Sequence, residues 1–153
     1  MKLISFAIPC YNSAAYMGKC IESILPAGDE VEILIVDDGS RKDNTLEIAK
    51  EYEQKYPTIC KAIHQENGGH GEAVNTGLKN ASGLYFKVVD SDDWLDSEVL
   101  LEILEKIRNI TLSGDSIDLF VANFVYDKVG QENKKVSQVF LAFFIPIYQD
   151  AGL

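Results

Sequence analysis

The chain has 153 residues, 46% of them hydrophobic, which is enough to form one domain with a sizeable core. Its 24 acidic residues outnumber its 14 basic ones and leave a net charge of −10, which excludes a broad basic face for nucleic acid. An acidic protein that handles a phosphorylated ligand needs a divalent cation or oriented backbone amides to offset like-charge repulsion.

Cysteine usage and apolar runs indicate where the protein resides. Cys10, Cys20 and Cys60 follow no metal-ligand spacing, so we expect free thiols in a reducing compartment. The N-terminal apolar run is interrupted by Pro9, so it predicts a first strand and not a signal peptide. The most apolar window, 139–148, is shorter than the roughly 20 residues that span a bilayer and predicts a core strand. We expect a cytoplasmic protein, with peripheral association at the inner face of the membrane as an open alternative.

Strand and helix signals alternate along the chain. Asn44 and Glu47 have the spacing of a capping box at the start of the second helix, and Ser97 is the predicted cap of the fourth. The predicted strands cover 3–8, 31–36, 59–64, 84–89 and 117–125, with a sixth after the polar turn at 126–135. The predicted helices cover 14–25, 45–55, 73–80 and an apolar stripe from Val99 to Ile107.

This order of elements predicts an α/β fold: a doubly wound, mostly parallel sheet with helices on both faces, formed by a single domain over 1–153. In such sheets, ligands bind outside the carboxyl ends of the strands, near the point where strand order reverses. Acidic residues follow both the second and the fourth predicted strand. Parallel pairing would bring these two acidic turns to the same rim.

Asp90 and Asp92 are separated by one residue, so extended backbone would point both carboxylates the same way. Two carboxylates about 4 Å apart repel by roughly 4 kcal/mol at an effective dielectric of about 20, so the pair needs a compensating charge. Mg²⁺ or Mn²⁺ suits this role, because either ion is often held by one or two carboxylates together with substrate phosphates and water. Asp93 and Asp96 have a simpler explanation, since acidic residues that open a helix favour its dipole.

Asp37 and Asp38 end the second predicted strand, before Gly39 and Ser40. The pattern is common in ordinary turns, but its expected position on the same rim as Asp90 favours contact with a ligand. Because a carboxylate only accepts hydrogen bonds, it would select a nucleobase with an N–H on its pairing edge, which uracil and guanine have.

The segment ENGGHGEAVN joins a strand to a helix. Its glycines allow the loop to aim backbone N–H groups at an anion, with the helix dipole in support. His70 is equally compatible with donating to a phosphate or sugar hydroxyl and with simple solvation. Tyr11 and Trp94 are interpreted as packing residues, with stacking on a base or a sugar as the alternative.

Four segments carry a resemblance to a known family: ISFAIPCYN, VEILIVDDGSRKDNT, NGGHGEAVNTGL and GLYFKVVDSDDWL. In order and approximate spacing they resemble the family-two glycosyltransferases, from Leu3 to about Ile110. The resemblance implies a GT-A-type fold and inverting transfer of a sugar from a nucleotide-diphosphate donor, with Mn²⁺ or Mg²⁺ as cofactor. It favours a UDP-sugar, keeps a GDP-sugar open, and implies a carbohydrate or lipid-linked acceptor, as in polysaccharide or cell-wall biosynthesis.

The resemblance also implies roles for individual residues. Asp38 matches the acid that contacts the base, Asp90 matches the first acid of the D-x-D motif beside the ribose and diphosphate, and Asp92 matches its metal-binding second acid. The implied donor-nucleotide residues are Pro9, Tyr11, Asp38, Asn67, Gly68 and Asp90, and the implied metal ligand is Asp92.

Two features depart from the family. Val74 stands where many members carry an Arg, so a phosphate contact from that side chain is lost. Inverting transfer needs a general base for the acceptor hydroxyl, and no acidic residue after Ile110 matches the one that the family supplies. We therefore expect a domain that is incomplete at its C-terminal, acceptor side, and a nucleotide-sugar-binding module without turnover is the alternative. An unpaired apolar tail would favour self-association.

A phospho-accepting receiver domain is a further alternative, because it is also a doubly wound sheet with an acidic pair. Receivers carry that pair after the first strand and a Lys after the fifth. Here the pair follows the second strand, and Asn123 and Phe124 occupy the place of the Lys. The sequence therefore disfavours a receiver.

Overall fold

The computed structural model describes residues 1–115, 117–118, 121, 124–126, 134–136 and 145–146. Strands and helices alternate from Ile4 to Ser113, as predicted, and short strands follow among the described residues after that point. The strands are β1 (Ile4–Cys10), β2 (Val31–Asp38), β3 (Cys60–Gln65), β4 (Tyr85–Val88), β5 (Phe124–Tyr126), β6 (Lys134–Val136) and β7 (Ile145–Pro146). The helices are α1 (Met17–Ile24), α2 (Thr45–Lys55), α3 (His70–Asn80) and α4 (Ser97–Ser113), and a 3₁₀ segment, Leu25–Glu30, follows α1.

Five of the strands form one sheet in the order β3-β2-β1-β4-β7. Strands β1 to β4 are parallel, with Ile4 beside both Val31 and Tyr85, and β7 is antiparallel to β4. Strands β5 and β6 pair with each other in a separate antiparallel ribbon. The prediction of a mostly parallel α/β sheet is confirmed.

The predicted strands beyond α4 are covered only in part by the described residues. Within 117–125, Ile117 and Asp118 lie outside any strand, and β5 begins at Phe124. Strand β6 falls at the end of the predicted polar turn, and β7 is the described part of the apolar window 139–148. The remaining residues of these stretches, and with them the predicted self-association through an apolar tail, lie outside the described residues.

The core lies on both faces of the central strands, because β1 and β2 are buried along almost their whole length. Successive side chains of a strand point to opposite faces. On one face, Phe6 and Ile8 belong to a cluster that includes Met17 of α1 and residues of α4, whereas on the other Ala7 lies against Gly77 of α3. Each fully buried large apolar side chain of this kind stabilises the fold by about 1.5 to 3 kcal/mol.

The three cysteines are free and buried, as the prediction of unpaired thiols requires. Burial raises the pKa of the Cys20 and Cys60 thiols to about 12. The pKa of Cys10 is raised for the same reason. All three thiols therefore stay protonated at neutral pH, and the thiolate that would react or bind metal does not form.

Asn44 is the N-cap residue of α2, but the predicted capping box does not form, and the predicted cap of α4 is wrong by one residue. The side chain of Asn44 makes no capping bond with α2; Asp43 Oδ1 instead accepts from Thr45 N at 3.1 Å and from Thr45 Oγ1 at 2.6 Å. At α4 the cap is Asp96, whose Oδ1 accepts from the backbone N–H groups of the second and third helical residues at 3.0 and 3.2 Å. The interpretation of Asp96 as a residue that opens a helix is thereby confirmed.

Gly77 lets α3 approach the sheet closely. A Cβ at this position would lie 2.6 Å from the Cβ of Ala7, so Gly77→Ala forces α3 away from β1. We expect the free energy of unfolding, measured by urea denaturation, to fall by about 1 to 3 kcal/mol. Gly71→Ala is the matched control in the same helix, because no atom lies within 4 Å of its Cβ position, and it should leave stability unchanged or raise it. Equal stability of the two variants would contradict this packing.

Candidate functional site

The loops that follow β1, β2, β3 and β4 meet at the carboxyl edge of the sheet. Asn12 N donates to Ser40 Oγ at 2.9 Å and joins the loops after β1 and β2. The hydroxyls of Ser13 and Ser91 lie 2.9 Å apart and join the loop after β1 to the turn after β4. The acidic turns that were predicted to share a rim therefore do so.

Asp38, the predicted base contact, is only 3% exposed. Its Oδ1 accepts from Gln65 Nε2 at 2.7 Å and from Gly68 N at 2.8 Å, and its Oδ2 accepts from Gly69 N at 2.8 Å. The side-chain amide of Asn67 donates to the Asp38 carbonyl at 3.0 Å. The glycine-rich loop thus uses two of its N–H groups on an anion of the chain itself. Because Oδ2 has one described bond, it keeps room for one more donor.

A close backbone approach holds this loop against the end of β2. Gly39 has φ +69°, and a Cβ there would lie 2.8 Å from Asn67 N, so the position requires glycine for both conformation and space. Next to it, Gln65 Oε1 is buried and has no hydrogen-bond partner among the described residues.

Asp37, the first acid of the pair, is fully buried and has different partners. Its Oδ2 lies 2.7 Å from His64 Nδ1, and its Oδ1 accepts from Ser40 N at 3.2 Å. Since an ionised carboxylate only accepts, Nδ1 of His64 carries the proton. This pair was not predicted from the sequence, although parallel pairing of β2 with β3 sets Asp37 beside His64 in the strand register.

The acidic residues after β4 lie in a turn, and the prediction of extended backbone here is wrong. Asp93 N donates to the Asp90 carbonyl at 2.9 Å, and Ser91 is buried. Asp90 and Asp92 are both exposed. Asp90 Oδ1 lies 2.9 Å from His70 Nε2, whereas no hydrogen bond or ion pair within the described residues engages the carboxylate of Asp92.

Electrostatic repulsion is present within this turn. Burial raises the pKa of Asp93, the charges of Asp92 and Asp90 raise it further, and Lys87 opposes the rise. Burial also lowers the pKa of the Lys87 ammonium, against the effect of Asp93 and Asp90. Lys87, on β4, therefore supplies a partly buried positive charge close to the acidic turn.

The turn fits a hard divalent cation that takes most of its ligands from elsewhere. In the part of the chain that the structure describes, no three His, Cys, Asp or Glu side chains are arranged to hold a metal ion. Asp92 nevertheless offers an exposed carboxylate with no described partner, next to Asp93, whose pKa is raised by burial and by the charges of Asp92 and Asp90. A single carboxylate of this kind suits Mg²⁺ or Mn²⁺, which keep several waters and bind substrate phosphates.

Aromatic residues and proline lie around this edge in different ways. Pro9 is buried in β1, beside Val36 of β2. Trp94 is 40% exposed, and Lys19 Nζ lies 3.0 Å from the centroid of its ring, so a cation of the chain itself already covers one face of this side chain. Tyr11 is 50% exposed, so the alternative of stacking on a ligand suits Tyr11 better than packing does.

The hydroxyl and amide side chains that join the loops were also not predicted from the sequence. Ser13 Oγ accepts from Tyr11 N at 3.1 Å, and Ser13 N donates to Thr45 Oγ1 at 2.7 Å. Asn12 has φ 51°, and its Oδ1 accepts from two backbone N–H groups of the loop after β2, at 3.0 and 3.2 Å. An Asn-Ser pair directly after a strand is a turn signal that could have indicated this loop.

Comparison with known proteins gives the family. The model of the family described as Glycosyl transferase family 2 matches residues 5–147, and the chain belongs to this family. GlyA, a glycosyltransferase of Streptococcus pneumoniae, is 41% identical to it over 105 residues, which cover 68% of this chain and 15% of that protein. The matched part of the chain spans 33%, 15% and 30% of the length of the first three relatives, so each of them is much longer than the matched region.

Solved structures show the same fold. TarS of S. aureus in complex with UDP-GlcNAc superposes with a TM-score of 0.62 at 33% identity, over 72% of this chain and 32% of that one. The mannosyltransferase PcManGT of Pyrobaculum calidifontis in complex with GDP-Man and Mn²⁺ gives a TM-score of 0.54 at 24% identity, over 60% of this chain and 28% of that one. The predicted GT-A-type fold is confirmed. Within the described residues, no helix combines the length and apolar character needed to cross a membrane.

Proposed function

We propose that this chain binds a nucleotide-diphosphate sugar at the carboxyl edge of its sheet and takes part in transferring the sugar to a carbohydrate or lipid-linked acceptor. The proposal depends above all on the joining of the four loops after β1 to β4, which brings Asp38 and Asp90 to one rim. Family membership supports the class of reaction. The UDP-GlcNAc bound to TarS supports a UDP-sugar, with a GDP-sugar as second choice.

The base is proposed to lie beside the end of β2. Asp38 Oδ2 has room for the imino N–H of uracil. The half-exposed ring of Tyr11 is available to stack on the base, and Pro9 lies buried near the end of β1, two residues before Tyr11. Asn67 and Gly68 would form the neighbouring wall, because hydrogen bonds to Asp38 fix the loop that contains them.

The diphosphate is proposed to lie beside the acidic turn after β4. Asp90 would contact the ribose, and Asp92 would hold Mn²⁺ or Mg²⁺ against the phosphates. A bound cation supplies positive charge that stabilises a departing diphosphate. Burial raises the pKa of Asp93, and the charges of Asp92 and Asp90 raise it further; this repulsion supports a requirement for a positive charge before a second anion can approach.

The proposed transfer is inverting, as the family resemblance implies. Inversion requires a group that accepts the proton of the acceptor hydroxyl, and we assign that role to none of the described residues. In this proposal the described residues form the donor side of the domain, and other residues contribute the acceptor side and the base.

Calorimetric titration with UDP, with and without Mn²⁺, tests the proposal together with an assay for UDP release from UDP-sugars. We expect binding that Mn²⁺ strengthens by about tenfold or more, since close charge-assisted contacts are typically worth more than about 1.4 kcal/mol. Absence of UDP binding under both conditions would contradict the proposal. Binding without turnover, even with acceptors supplied, would favour the module that holds the donor without transferring its sugar.

A further inference from the structure

The contact between His70 and Asp90 joins the two outer loops of the candidate site. Strands β3 and β4 are separated in the sheet by β2 and β1. Helix α3 starts at His70 and packs on β1 and β2, the two strands between β3 and β4. The start of the helix therefore places His70 between the β3 side and the β4 side of the rim. The 2.9 Å approach of His70 Nε2 to Asp90 Oδ1 therefore closes the rim across its middle strands.

The chemistry of the pair fixes how the bond is made. An ionised carboxylate can only accept, so Nε2 of His70 donates and Asp90 Oδ1 is occupied. No described hydrogen bond engages Asp90 Oδ2. The side chains are 64% and 54% exposed, so a ligand can reach this second oxygen while the first remains bound. His70 also restrains Asp90 against the repulsion that Asp92 and Asp93 exert within the turn.

We propose that His70 is a positioning residue that holds Asp90 so that its free oxygen, Oδ2, accepts the ribose hydroxyls of the donor. This inference rests on the proposed function, which sets the ribose beside Asp90. His70 itself makes no contact with the base or the leaving group in this arrangement. Its effect should therefore be confined to the energy that the ribose hydroxyls contribute to binding.

A ligand that lacks those hydroxyls isolates the effect. UDP and 2′,3′-dideoxy-UDP would be titrated, both with Mn²⁺, into the full chain and into His70→Ala and His70→Gln. For the unaltered chain we expect UDP to bind about tenfold tighter than the dideoxy analogue, the usual size of a hydrogen bond to a charged group. In His70→Ala the affinity for UDP should fall by about three- to tenfold, with little change for the analogue, so that the ratio of the two affinities approaches one.

Glutamine and a second histidine provide the controls. The side-chain amide of His70→Gln can still donate to Asp90, so this variant should recover part of the ratio. His64 also contacts an acid on this edge of the sheet, but that acid is Asp37 and not Asp90. His64→Ala should therefore leave the ratio of the affinities for UDP and for the dideoxy analogue unchanged. His70 and His64 are both at least half exposed, and circular dichroism would verify that each variant remains folded.

The outcomes separate the inference from the function on which it rests. Failure of the unaltered chain to bind UDP, or equal binding of both ligands to it, would overturn the assignment of the ribose to Asp90 and this inference together. Discrimination that survives His70→Ala would overturn the inference alone. Equal weakening of both ligands by His70→Ala would also overturn it, because a general disturbance of the loop has that result.

Discussion

Asp38→Ala is expected to lower the free energy of unfolding by about 2 to 4 kcal/mol and to weaken UDP binding by more than about tenfold. The carboxylate is 3% exposed and accepts three hydrogen bonds from the loop after β3. Its removal leaves Gly68 N, Gly69 N and the Gln65 amide without their partner. The loop that would contact the base is then no longer fixed. Urea denaturation and calorimetric titration with UDP and Mn²⁺ measure the two effects.

Two further variants test whether the loss of stability and of UDP binding in Asp38→Ala results from the hydrogen bonds that the Asp38 carboxylate accepts. Asp38→Asn keeps one accepting oxygen but places an N–H₂ group where the second oxygen accepted an N–H of the loop. Its free energy of unfolding should therefore fall by about half as much as that of Asp38→Ala. Asp96→Ala removes another acid that accepts two backbone N–H groups, as the cap of α4. It should cost about 1 kcal/mol and leave UDP binding unchanged. If Asp38→Ala were as stable as the unaltered chain, the described hydrogen bonds would not hold the loop.

Asp92→Ala is expected to have the opposite profile, with stability unchanged or slightly raised and Mn²⁺-dependent UDP binding lost. The carboxylate is exposed and has no described partner, so its removal breaks no contact within the described residues. Titration of UDP with and without Mn²⁺ should give the same weak affinity in this variant, since the proposed ligand is missing. Asp92→Asn has a side chain of nearly the same size without the charge. It should lose Mn²⁺-dependent binding as Asp92→Ala does, because a hard cation binds to a charged carboxylate.

The pH dependence of stability provides an independent measure of the repulsion in this turn. Folding raises the pKa of Asp93, so the folded state binds that proton more tightly and stability falls as the pH rises from the ordinary Asp range through the raised value. Asp92 is one cause of the raised pKa, so Asp92→Ala should make this fall smaller. A variant that loses stability across this range as steeply as the unaltered chain, or that retains Mn²⁺-dependent binding, would contradict the role given to Asp92.

The sheet could be predicted from the sequence because its central strands, β1 and β2, are buried on both faces and therefore form nearly continuous apolar runs. The same logic predicted the shared rim, since the carboxyl ends of parallel strands meet at one edge. The partners on that rim could not be predicted. Asp38 turns toward Gly68 and Gly69 because of loop conformation, which depends on the close approach of Gly39 to Asn67 and leaves no periodic pattern.

Local hydrogen bonding likewise determined where the sequence-based predictions failed. At the start of α2, Asp43 accepts from Thr45 N although Asn44 is the N-cap residue, and at α4 Asp96 is the cap in place of Ser97. The choice depends on which side chain reaches the free N–H groups. Alternation of side chains predicts a common direction for Asp90 and Asp92 only if the backbone is extended. The bond from Asp93 N to the Asp90 carbonyl makes a turn there instead.

The three buried thiols make this chain convenient for site-directed labelling. Cys20 and Cys60 have a pKa near 12 because they are enclosed by apolar neighbours, and Cys10 is enclosed in the same way. Maleimides and disulfide reagents attack the thiolate, so the native protein should remain almost unmodified by them. A cysteine introduced on the exposed surface would then carry a fluorophore or spin label by itself, without removal of a residue from the interior.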